Sequence, residues 1–119
     1  MKKVDLPYCF LFFEKHFAIL EMKNDGAITV ETAMEITNLL KEHYNGEQFI
    51  LIANRTSHHA IDLNVYRGKI LKNMIGFAIV SSDPLEKERA TAEQSLWQGS
   101  FTFFTKLEDA TSWAESFFS

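Results

Sequence analysis

Six consecutive polar residues, Asn54-Arg55-Thr56-Ser57-His58-His59, follow directly on the apolar run Phe49-Ile50-Leu51-Ile52-Ala53. A guanidinium beside hydroxyls and imidazoles suits an anion, because its planar fork bonds a carboxylate or phosphate in two places. Asp62 follows as the cap of an expected helix, whose first backbone N–H groups would add donors to the same spot. Arg55, Thr56, Ser57, His58 and Asp62 are therefore the candidate binding residues for a small anion or a peptide carboxylate. Ser82, at the exit of the next apolar run, is expected on the same crevice. His58 and His59 also raise a metal reading, but neighbours on an extended chain point to opposite sides and no third ligand is placed. No metal and no cofactor is expected. Cys9 sits in an apolar run without a base beside it, which marks a core thiol rather than a nucleophile. The chain has no Gly-rich phosphate loop, Gly-x-Ser-x-Gly elbow, His-Glu-x-x-His or Cys-x-x-Cys. It is read as a non-enzymatic binding protein.

These residues need elements to hold them. The unbroken run Phe49 to Ala53 predicts a strand buried on both faces, as in sheets carrying helices on either side. In such sheets ligands lie beyond the carboxyl ends of the central strands, which is where Arg55 emerges. Upstream, Tyr8–Phe13 and Phe17–Met22 predict a hairpin, with Asn24-Asp25-Gly26 as the next turn. A helix follows over 30–44, capped by Thr29, with Ala33, Ile36, Leu40 and Tyr44 inward and Asn45-Gly46 as its stop. Downstream, a helix is expected over 63–72, facing inward through Leu63, Tyr66 and Ile70, and a strand over 75–80. Asp83-Pro84 with Glu86 then opens a helix reaching Gln98 and ending at Gly99, with Leu85, Ala92 and Leu96 inward. A strand over 101–104 and the box Thr105-Lys106-Leu107-Glu108 open a closing helix that buries Leu107, Ala110, Ala114 and Phe117. The expected architecture is α/β, a mixed five-stranded sheet in the order ββαβαβαβα, with an antiparallel opening hairpin and helices flanking it.

At 119 residues, 46% hydrophobic and 24% charged, the chain has the balance of one ordinary globular domain spanning 1–119. A net charge of −4 leaves no excess of basic groups for phosphates, so nucleic acid is not an expected partner. Lys2-Lys3 is followed by Asp5 and Pro7 and by no small-residue cleavage pattern, and no run is long enough to span a bilayer. With a single cysteine, this predicts a cytoplasmic protein without membrane insertion. Eleven Phe are more than such a chain needs. Trp97, Trp113 and Phe117 are the candidates for an aromatic patch that meets a protein partner, and an edge strand of the opening hairpin invites a homodimer.

Several local phrases, taken with the element order, resemble a known family. Ile28-Thr29-Val30 before the first helix, the strand Phe49 to Asn54 closing on Arg55, Ser81-Ser82 before Asp83-Pro84, and Phe104-Thr105 with Leu107-Glu108-Asp109-Ala110 and Trp113 are similar to the SpoIIAA-like, or STAS-like, domains. The resemblance runs from about Tyr8 to Phe118 and is strongest to small stand-alone bacterial members of uncharacterised function. It implies a regulatory, protein-binding role like that of anti-sigma-factor antagonists. Those relatives are switched by phosphorylation of a serine in a motif resembling Asp-Ser-Ser-Gly. Here the region reads Ile61-Asp62-Leu63-Asn64, so only the aspartate is matched and the acceptor is missing. A distant similarity of this fold to lipid-binding CRAL-TRIO domains, with the Phe-rich composition, implies the alternative of a carrier for a small apolar ligand.

Overall fold

In the computed structural model, residues 2–23, 28–55, 71–97 and 100–118 are described. They form β1 (Lys2–Asp5), β2 (Cys9–Phe13), β3 (Phe17–Met22), α1 (Val30–Tyr44), β4 (Phe49–Asn54), β5 (Met74–Val80), α2 (Pro84–Gln94), β6 (Ser100–Phe104) and α3 (Leu107–Ser116). The strands lie side by side in chain order, β1 to β6. The pairs β1–β2 and β2–β3 are antiparallel, and β3–β4, β4–β5 and β5–β6 are parallel. The sheet thus has six strands rather than five. The extra one, Lys2–Asp5, is polar on all but one residue and sits at an edge, where no hydrophobic run is required to hold it.

β4 occupies the interior of the sheet as its composition demands. Phe49, Ile50, Leu51, Ile52 and Ala53 are all buried, on both faces. Phe49, Leu51 and Ala53 join Ile36, Leu40 and Tyr44 of α1 and Ala90 of α2 in one core. Ile50 and Ile52 join Ala110 and Ala114 of α3 in a second core across the sheet. Two of the described helices thus cover one face and α3 covers part of the other.

α1 follows its sequence cues closely. The Thr29 hydroxyl accepts from the Thr32 amide, and Asn45 ends the helix at a φ of 45°, a left-handed turn that Gly46 continues. Ile36, Leu40 and Tyr44 form its buried face, while Ala33 is only half-buried. The Tyr44 ring stacks on Phe49 at 4.2 Å and its hydroxyl donates to the Glu14 carbonyl at 2.8 Å, tying the helix end to the hairpin.

The two later helices differ from expectation in ways that matter for the site. α2 begins as expected, with the Asp83 carboxylate accepting from the Leu85 amide at 2.9 Å and Pro84 in the first turn. It stops at Gln94, however, because tight i+3 bonds from Leu96 to Glu93 and from Trp97 to Gln94 swing Trp97 out of the helix. Its inner face is also not Leu85, Ala92 and Leu96: Leu85 is 56% exposed and Leu96 37%, and the buried stripe is Glu86, Ala90 and Glu93. In α3 the expected capping box does not form, since Lys106 is the cap residue and makes no side-chain bond. Phe117, expected inside, is 40% exposed. The expected turn at Asn24-Asp25-Gly26, the cap Asp62, most of the helix over 63–72 and the stop at Gly99 lie outside the described residues, and Leu71 and Lys72 are not helical.

Candidate functional site

The carboxyl ends of β4, β5 and β6 emerge on one rim, as the sheet order requires. The Arg55 amide donates to the Val80 carbonyl at 2.8 Å, and the Ser81 amide donates to the Phe104 carbonyl at 3.0 Å. Arg55 and Ser82 therefore leave neighbouring strands at the same edge. Ser82 is exposed, whereas Ser81 is buried and its hydroxyl accepts from the Asp83 amide at 3.1 Å. Thr56, Ser57, His58 and Asp62 lie outside the described residues.

The Arg55 side chain turns inward under α2. Its guanidinium donates to both Glu93 carboxylate oxygens, at 2.6 and 2.5 Å, and to Glu86 at 3.3 Å. The side chains are 8%, 1% and 2% exposed for Arg55, Glu93 and Glu86, so this is a buried ion cluster rather than a surface pair. Arg89, on the solvent side of α2, donates to the other oxygen of Glu86 at 3.1 Å. Arg55, Glu86 and Glu93 each make further interactions as well. Two carboxylates two helical turns apart point the same way, and desolvating them is tolerable only because Arg55 meets both. The arrangement fastens a helix to the end of the central strand, and Arg55 already holds carboxylates supplied by its own chain.

The aromatic candidates separate. Trp97 packs on the first core with its ring 5.5 Å from Phe77, and its Nε1 has no hydrogen-bond acceptor among the described residues. Trp113 lies on the strand at Gly76, where an added Cβ would stand 3.3 Å from the indole, and it packs on Phe104. Phe117 meets Trp113 edge-on at 5.0 Å and presents its outer side to solvent. Next to it, Phe118 stacks on His16 at 4.3 Å, and the His16 Nδ1 lies 3.0 Å from Glu115. Cys9 is fully buried and burial, with Glu35 second, pushes its thiol up to about 11. The Tyr8 hydroxyl is likewise raised by burial first and then by Glu35.

Phe10 and Phe12 form a surface that sequence reasoning missed. They alternate with the buried Cys9, Leu11 and Phe13 and point to the α3 side of the sheet, opposite Glu21 and Ile19 of β3. α3 packs mainly over β3 to β6. Lys3 Nζ lies 4.5 Å from the Phe10 ring centre and 5.6 Å from that of Phe12, and Lys23 Nζ lies 4.6 Å from Phe10. Lys23 also pairs with Asp5 at 2.6 Å. The signal was in the sequence: the run Tyr8 to Phe13 is apolar at every position, and a strand near the edge of a sheet has only one face to bury.

No protein-family model matches the sequence, and no curated protein matches it. Among solved structures, the chain is similar to an uncharacterised protein of the DUF3478 family from Shewanella loihica PV-4, described as having a SpoIIAA-like fold, with a TM-score of 0.60 and 18% identity over 95% of this chain and 90% of that one. At that identity the likeness speaks for architecture alone. Six strands in chain order, a parallel run from β3 to β6 and helices on both faces agree with it: the chain has a SpoIIAA-like fold.

Proposed function

We propose that this chain is a non-enzymatic binding module that recognises a protein partner through the aromatic face of β2 and β3, continued toward Phe117 at the end of α3. The observation that carries the reading is the placement of the half-buried Phe10 and Phe12 on the α3 side of the sheet, outside the strands that α3 mainly covers, with Lys3 and Lys23 set over the rings. Rings on a surface with ammonium groups above them suit a partner segment that brings apolar and acidic side chains together. Asp5, which pairs with Lys23, and Glu21 stand on the same face opposite Phe10, so the lysines supply local cation–π and ion-pair contacts rather than a net positive field. Arg55, Glu86 and Glu93 pair beneath α2, and we read the cluster as a clamp on that helix.

Affinity capture comparing wild type with Phe10→Ser/Phe12→Ser tests the proposal, with equal thermal stability of the two as the control. A partner held by wild type, released by salt and absent from the double variant is the expected result. Identical partners for both proteins would overturn it.

A further inference from the structure

The outer edge of β1 is the second feature the fold leaves open. Among the described residues no strand lies beyond it. We infer that β1 pairs antiparallel with β1 of a second copy of this chain, across a two-fold axis at Val4, joining the two sheets edge to edge. This goes beyond the proposed partner face and does not depend on it.

The backbone sets which groups are available. The Leu6 amide donates inward to the Cys9 carbonyl at 2.8 Å, closing the β1–β2 turn. Amides alternate along a strand, so Lys2 and Val4, opposite Phe13 and Leu11, also bond toward β2. Lys3 and Asp5 therefore direct their N–H and C=O groups outward. A two-fold axis perpendicular to the sheet keeps each face continuous, so only residues on the same face can oppose each other and the axis must fall on a residue. On Lys3 it would set Lys3 against Lys3, and on Asp5 it would set two aspartates together; both oppose like charges. On Val4 it sets Val4 against Val4, and Lys3 of each copy against Asp5 of the other. Those two are the residues whose main-chain groups point outward, so each Lys3–Asp5 pair exchanges both backbone hydrogen bonds while its side chains attract.

Lysines on a short edge ordinarily discourage pairing. Here Asp5, two residues on and on the same side, makes the edge complementary to itself and to one register. Lys3 lies over the Phe10 and Phe12 rings and Asp5 pairs with Lys23, so both side chains are held on the same face of the sheet.

Sedimentation equilibrium of the full chain over a wide concentration range tests this. Wild type should dimerise, and Asp5→Lys, which opposes Lys3 with lysine, should weaken dimerisation by about tenfold or more. Lys3→Asp alone should do the same, and the swap Lys3→Asp/Asp5→Lys should restore it. Exchange of the Lys3 and Asp5 amides with deuterium should slow as concentration rises, while that of exposed turn amides stays constant. A wild-type chain that is monomeric throughout overturns the inference. So does a dimer that neither reversal weakens, or an open-ended series of oligomers. A dimer lost in Phe10→Ser/Phe12→Ser but kept in the charge variants would place the contact on the aromatic face instead.

Discussion

Arg55 is the residue on which the rim turns. It leaves a strand buried on both faces, and its charge is answered by Glu86 and Glu93 at 3.3 Å or less. Truncating it to Met leaves two carboxylates in a dry site, and removal of one partner from a buried ion group costs about 3–5 kcal/mol. Urea unfolding of Arg55→Met should show that loss, and Arg55→Met/Glu86→Met/Glu93→Leu should recover most of it. A single variant as stable as wild type would mean the cluster contributes no net stability. Cys9 provides a second check at this scale. Its thiol ionises near 9 when unfolded and near 11 when buried. A raised value favours the protonated form in the folded protein, so this contribution is complete below pH 9 and is lost as pH climbs through 11. In native buffer at about pH 8, a thiol reagent should label Cys9 only after denaturant is added; rapid labelling of the folded chain would contradict its burial.

At the scale of elements, α2 differs most from what periodicity suggests. Leu85, Ala92 and Leu96 recur at helical spacing, and so do Glu86, Ala90 and Glu93. Apolar preference selects the first stripe, but the helix turns the second inward because a cation is waiting beneath it. Hydrophobic periodicity does not register that, since the partner sits at the end of another strand. Leu85→Gln should accordingly shift stability by no more than about 0.5 kcal/mol, as an exposed substitution does. α3 is seated differently, by shape: Trp113 fits against the bare strand at Gly76, with a future Cβ only 3.3 Å from both Trp113 and Ile50. Gly76→Ala should cost about 1–3 kcal/mol through overpacking and shift the Trp113 emission. No change in either would mean α3 is not seated there.

For the whole molecule, the described helices lie unevenly on the two faces of the sheet. Among the described residues, α1 and α2 cover one face and α3 part of the other, with Lys3 and Lys23 over the half-buried Phe10 and Phe12 rings. An anionic aromatic dye such as ANS should bind the native protein there, and Phe10→Ser/Phe12→Ser should reduce the fluorescence several-fold without altering the unfolding transition. Equal dye binding by the two proteins would show that this face is not the accessible one. Among the described residues no helix is long and apolar enough to cross a membrane.

The local and repetitive features of this chain are written in its sequence. The both-faced burial of β4, the caps Thr29 and Asp83, the Asn45-Gly46 stop and the parallel run of strands all follow from neighbours close in the chain, and each appears as read. Three features came only with the tertiary structure. Glu86 and Glu93 face inward because Arg55, 31 and 38 positions away, meets them; β1 is a strand because β2 offers it a ladder; and Phe10 and Phe12 are half-buried on a face where α3 packs mainly over β3 to β6. In each, the deciding energy comes from a group distant in the chain, and desolvation and packing are settled only when such groups are brought together.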